Sequence, residues 1–133
     1  MAVAGLSAAI ITFAFKAEQN RQGEKRLCAI CEELRFWAED ITLNSGKSPS
    51  LENLKKYAAT RPELGNPFTH EPINITDKEL SKPGDIVYST YTYHDPRFDE
   101  DVSCFRIKAR GKNKIVYDYD SRSPEHSGFI MGA

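Results

Sequence analysis

Residues 2–43 read "AVAGLSAAIITFAFKAEQNRQGEKRLCAICEELRFWAEDITL", and the fold turns on whether they form one helix. Ala2–Phe15 carries no charge, and its only polar side chains are the hydroxyls of Ser7 and Thr12. From Lys16 the pattern changes. Leu27, Ile30, Leu34, Trp37 and Ile41 recur three and four apart with Ala38 beside them, which draws a single apolar stripe. Glu32, Glu39 and Asp40 fall off that stripe, and Cys28 points well away from it. Phe36 lies almost opposite, so it is either exposed or in contact with another molecule. Only Gly23 weakens helix formation between Phe15 and Ile41, at a tolerable cost. One helix over 1–43 is expected, apolar over 2–15 and amphipathic over 16–43. At 1.5 Å rise per residue it is on the order of 60 Å long, more than a compact domain of this size needs. Its N-terminal half therefore has no partner within the chain.

A full membrane span takes about 20 apolar residues, and this run is shorter, so three readings compete. A cleaved signal peptide needs a Lys or Arg ahead of the apolar stretch, and none is there. A buried helix that is apolar all round needs walls on every side, which a small domain does not offer. The run fits best as the lower part of a membrane or bundle helix. Ala4 with Ala8 and Gly5 with Ala9 add the small-xxx-small spacing that lets helices approach closely. Leu6, Ile10, Ile11, Phe13 and Phe15 are then the side chains expected to meet neighbouring helices.

Downstream, Asn44-Ser45-Gly46-Lys47 supplies a helix stop. A serine cap with proline in the first turn (Ser48-Pro49-Ser50-Leu51) starts a short helix over 50–59, burying Leu51, Leu54 and Tyr57. Residues 62–84 make a proline-rich elbow containing "ELGNPFTHEPI" (63–73), where Pro67 and Pro72 exclude both helix interior and central strand. Its structural residues are Asn66, Pro67, Phe68 and Pro72, and Phe68 is placed to plug the open end of the core. Residues 85–120 read as an antiparallel meander. Ile86–Tyr93 is β-branched and aromatic, Cys104–Arg110 alternates with Phe105, Ile107 and Ala109 inward, and Lys114–Tyr119 alternates again. The expected fold is α+β: a long helix against a three- to four-stranded antiparallel sheet, with the head occupying 44–133.

With 18 Lys+Arg against 19 Asp+Glu, the chain lacks the basic excess of a nucleic-acid binder. Cys28-Ala29-Ile30-Cys31 has redox or metal spacing but sits inside a helix with one distant Cys104. The three read as isolated thiols or as one structural bridge, of which Cys31–Cys104 would pin the helix to the middle strand. The loop "HDPRFDEDV" gathers Asp95, Asp99, Glu100 and Asp101, either as a solvated acidic loop or as oxygen ligands for calcium. His70, His94 and His126 are scattered, and no nucleophile elbow or phosphate loop accompanies them, so no enzyme activity is expected.

The order of these features resembles the type IV pilin-like proteins, in particular the major pseudopilins of type II secretion and related pilus subunits. "SGKSPSLENLKKY", "NPFTHEP" and "PGDIVY" follow the hydrophobic-then-amphipathic helix in the family's sequence, and the likeness spans roughly Leu6–Tyr119. It implies an extracytoplasmic filament subunit, held in the inner membrane before its helix joins a bundle of identical or related subunits. Three departures stand out. Met1–Ile11 has neither the family's processing site nor its lone glutamate, so the chain is expected to begin partway along the membrane helix. His70 replaces a glycine, and "YDYDSRSPEHSG" does not reproduce the family's calcium loop. The rival class is a membrane-tethered binding module, calcium-holding or not, that docks a partner protein without polymerising.

Overall fold

The computed structural model describes residues 2–79, 82–122 and 128–129, with side chains described over 11–79 and 82–122. The first element is one unbroken helix, α1 (Ala2–Ser45). It stops where Gly46 takes φ +75°, a left-handed conformation open to glycine without Cβ strain, and Gly46 N donates to Thr42 O at 2.8 Å. Helix α2 (Leu51–Ala59) follows at once. Its cap is Ser50, whose hydroxyl accepts from Asn53 N at 3.1 Å, so Pro49 precedes the cap and does not sit in the first turn. Leu54 and Ala58 of α2 are buried, and Tyr57 stacks on Trp37 of α1 with centroids 4.5 Å apart and planes 10° off parallel. An Arg61–Glu33 ion pair at 2.8 Å closes the same seam.

The sheet contains β1 (Ile75–Thr76), β2 (Ile86–Asp95), β3 (Glu100–Arg110), β4 (Ile115–Asp120) and β5 (Gly128–Phe129), in that spatial order. The expected α+β arrangement of a long helix on a mostly antiparallel sheet holds, with two additions: β1 lies parallel to β2, so the sheet is mixed, and β5 adds a further antiparallel edge. Two residues inside a proline-rich segment carry no periodicity, and β1 is held by contacts remote in sequence. Ile86 N donates to Asn74 O at 3.0 Å, and the buried Asp85 carboxylate accepts from Asn74 Nδ2 and Lys82 N.

Leu27, Ile30, Leu34 and Ala38 of α1 pack on Ile86, Tyr88, Phe105, Ile107, Ala109, Tyr117 and Tyr119 of the sheet. This is the two-layer burial that the stripe and the strand alternation dictate. Helix and β3 run in opposite directions. Lys112, just past β3, donates its N–H to Glu24 at 3.4 Å, while Ser103 near the start of β3 accepts from Ser48 N at 2.9 Å, beyond the helix C-terminus.

Cysteine placement departs from expectation twice. Cys28 is buried, not turned away, and its thiol lies 3.3 Å from Val116 O, because β4 widens the wall that α1 meets. The Cys31–Cys104 bridge is absent, and all three thiols are free. Cys31 belongs to the core between helix and sheet, whereas Cys104 precedes the inward Phe105 on β3 and stands on the opposite face, cross-strand from Tyr91. A strand's two-residue period forbids both neighbours from facing α1.

Candidate assembly surface

Burial of α1 begins only at Gly23. N-terminal to it, Ile11, Phe13 and Phe15 are 69%, 78% and 62% exposed. Leu6 and Ile10, expected on the same surface, have side chains outside the described residues. The result is a rod, apolar as far as Phe15 and polar from Lys16, carried by a folded head. Residues 2–22 span roughly 30 Å at 1.5 Å per residue. Among the described residues no helix is long and apolar enough to cross a membrane. Farther along, Phe36 is also exposed, at 56%, and lies under the Arg35 guanidinium at 4.6 Å.

The elbow packs on α1 where the rod leaves the head. The Phe68 ring packs so closely on Gly23 that a Cβ there would lie 2.6 Å from Cε1. Phe68 in turn is positioned by the buried Asn66, whose amide oxygen accepts from Phe68 N at 2.8 Å and Thr69 N at 3.3 Å. The amide nitrogen of Asn66 donates to Pro83 O at 3.1 Å. Gly84, at φ +89°, leaves the space that this amide fills; a Cβ would stand 2.2 Å from Asn66 Nδ2. The "NPFT" and "PGD" segments thus interlock, a contact between residues 17 apart that local pattern does not reveal. Pro67 is half-buried and Pro72 exposed, the latter's segment returning through a bridge to Gly65. His70 takes φ +63°, the conformation that glycine adopts more cheaply.

Between rod and elbow lies an open groove of about 650 Å³, lined among others by Phe15, Glu18, Gly23, Arg26, Phe68 and Lys112. The Lys112 ammonium stands 5.6 Å over the Phe68 ring. Neither Arg26 nor Lys112 stood out in the sequence, since each is one cation among many until the fold brings them to one groove.

At the other end of the head the acidic segment is a hairpin tip. The strands extend to Asp95 and Glu100, which pair across the ladder, so only Pro96–Asp99 turns. The carboxylates diverge. Asp95 is buried and held by Arg97, with Oδ2 to Nη2 at 2.9 Å, and this guanidinium keeps its carboxyl below the usual carboxylate range. Asp99 and Asp101 flank the His94 ring at 3.0 and 2.9 Å, and the Asp101 hydrogen bond, ahead of Asp99, raises the imidazole above its ordinary value. No set of three His, Cys, Asp or Glu side chains poised for a metal ion occurs among the described residues. His126 falls outside them, and His70 lies in the elbow, far from His94 along the fold.

Burial pushes the Cys28 thiol up to about 11 and the Cys31 thiol well above the ordinary thiol range, so neither is an activated nucleophile near neutral pH. No protein-family model, curated protein or solved structure matches this chain.

Proposed function

We propose that this protein is a structural subunit of an extracytoplasmic filament of the type IV pilus or type II secretion pseudopilus kind, assembled through α1. The observation that carries this reading is that Ile11 and Phe15 on one face, and Phe13 almost opposite, stand uncovered on a helix continuous with the core of the head. Each such side chain gains about 1.5–3 kcal/mol on full burial. Residues two apart on a helix cannot face the same neighbour, so all three are covered only when neighbours stand on several sides of the rod, as in a bundle. Because α1 is unbroken, its packing on the sheet gives every rod the same direction, as a regular polymer requires, and the elbow braces it at Gly23. In this reading the apolar run is held in the inner membrane before assembly, the sheet faces outward, and the role is mechanical and not catalytic.

Negative-stain microscopy after removal of detergent tests this reading. Filaments are expected, together with their loss in a Phe13→Lys, Phe15→Lys variant whose head still folds. A discrete monomer, or a complex with one unrelated protein, would replace the filament by a membrane-tethered docking module. In that module Asp95, Asp99, Glu100 and Asp101 would hold calcium only after releasing Arg97 and His94.

A further inference from the structure

The two ends of the head carry opposite charge. At the rod end, Lys112, Lys114 and Arg26 outnumber the nearby acids, of which Glu18 lines the same groove but is paired with Arg21 at 2.8 Å, and Glu24 accepts from Lys112 N–H. At the far end, Asp99 and Asp101 share the single His94 ring between them yet remain 95% and 72% exposed beside exposed Glu100, while Arg97, the one cation of the turn, folds back onto Asp95. Phe98 crowns that turn and is 68% exposed. Eleven strand residues at about 3.4 Å each separate the two ends by roughly 35 Å. A net charge of −1 conceals this polarity.

We propose that the hairpin tip of one copy seats in the rod–elbow groove of the next copy. Phe98 packs against Phe68 and Phe15, and the Asp99, Glu100 and Asp101 carboxylates face Arg26 and Lys112. This deepens the filament reading and rests on it. A second copy is the occupant because both halves of the contact lie on one chain, at opposite ends, with complementary charge and matching aromatic surface. Such a contact is heterologous: every added copy offers a fresh tip and a fresh groove, so the assembly propagates without closing. The rod of the upper copy then descends beside the head below it. An anionic lipid headgroup would meet the same two cations but leaves Phe98 and the acidic tip unused. Because the charged groups are exposed, the contact weakens as salt rises.

Full-length chains carrying Asp99→Cys or Lys112→Cys test the contact, since all three native thiols are buried. Under filament-forming conditions with a short bis-maleimide, each variant alone is expected to stay monomeric on denaturing gels. Their mixture should yield dimers, and the double variant a ladder. Reversing the tip (D99K, E100K, D101K) should slow assembly about tenfold or more, and adding R26E with K112E should restore it. Filaments without mixed cross-links, or a single variant that cross-links to itself, overturn the tip-in-groove contact while leaving the filament reading intact. So does loss of binding to phosphatidylglycerol vesicles in R26E/K112E with assembly unchanged, which reassigns the groove to lipid. Absence of both filaments and cross-links from the unmodified rod overturns both readings together.

Discussion

Replacing Gly23 by alanine sets two effects of opposite sign against each other. Alanine in a helix interior is favoured over glycine by about 0.8–1 kcal/mol, so propensity alone makes Gly23→Ala stabilising. The added Cβ, however, would meet Phe68 Cε1 at 2.6 Å, Cδ1 at 3.0 Å and Cζ at 3.4 Å. The ring must yield, and it is held by Asn66 through its own backbone N–H and packs against the core. Overpacking of this kind costs about 1–3 kcal/mol, which outweighs the helix gain. A net loss of about 1 kcal/mol is expected. Truncating the ring removes the obstacle, so in a Phe68→Ala background Gly23→Ala should stabilise by about 1 kcal/mol, a coupling of about 2 kcal/mol between the sites. Urea unfolding in mild detergent, followed through Trp37, the only tryptophan, measures all four corners of the cycle. Trp37 reports the head directly through its stacking on Tyr57. If Gly23→Ala stabilises equally with and without the Phe68 ring, the elbow does not seat on the rod as described.

Gly46 and Gly84 share a positive φ, but only Gly84 has neighbours where a Cβ would stand. Gly46→Ala should therefore cost about 1 kcal/mol and Gly84→Ala about 2–4 kcal/mol in the same unfolding assay; equal losses would show that Asn66 does not fill the Gly84 space. The His94 imidazole should titrate above 6.5 in an NMR pH series and fall back toward that value in Asp101→Asn. Because its folded pKa is raised, the stabilisation it brings is complete below the unfolded pKa and fades as pH rises through the folded one. Native protein should resist a thiol-specific aromatic disulfide at pH 8 until denatured, all three cysteines being buried; rapid labelling of even one would show that its element opens. Excess calcium or chelator should leave the melting temperature unchanged, because Asp95 is engaged with Arg97 and Asp99 and Asp101 with His94; a rise of several degrees with calcium would show that the tip rearranges to bind it.

Long periodic stretches were legible in the sequence. Leu27, Ile30 and Leu34 at three and four apart, and Phe105, Ile107 and Ala109 at two apart, name the two faces that meet in the core. Misreadings came where one period was followed too narrowly or a tertiary contact decided the outcome. Cys28 lies a fraction of a turn from the stripe's centre and is buried because β4 reaches over it. The bridge to Cys104 ignored the strand parity that Phe105 had already set. The segment 94–102 reads as loop from its Asp and Pro content, yet cross-strand pairing carries the ladder to Asp95 and Glu100. The groove is the least legible feature, because Phe15, Arg26, Phe68 and Lys112 come from three separate stretches of chain.

The direction of α1 against the sheet has a mechanical consequence. A pull applied between the rod and the far end of the head acts along the helix axis, so α1 and the sheet slide past each other and do not peel apart. Contacts from Glu24 through Cys28 to Glu39 then bear the load together, and none fails first. Rupture in that shear geometry requires many bonds to give at once.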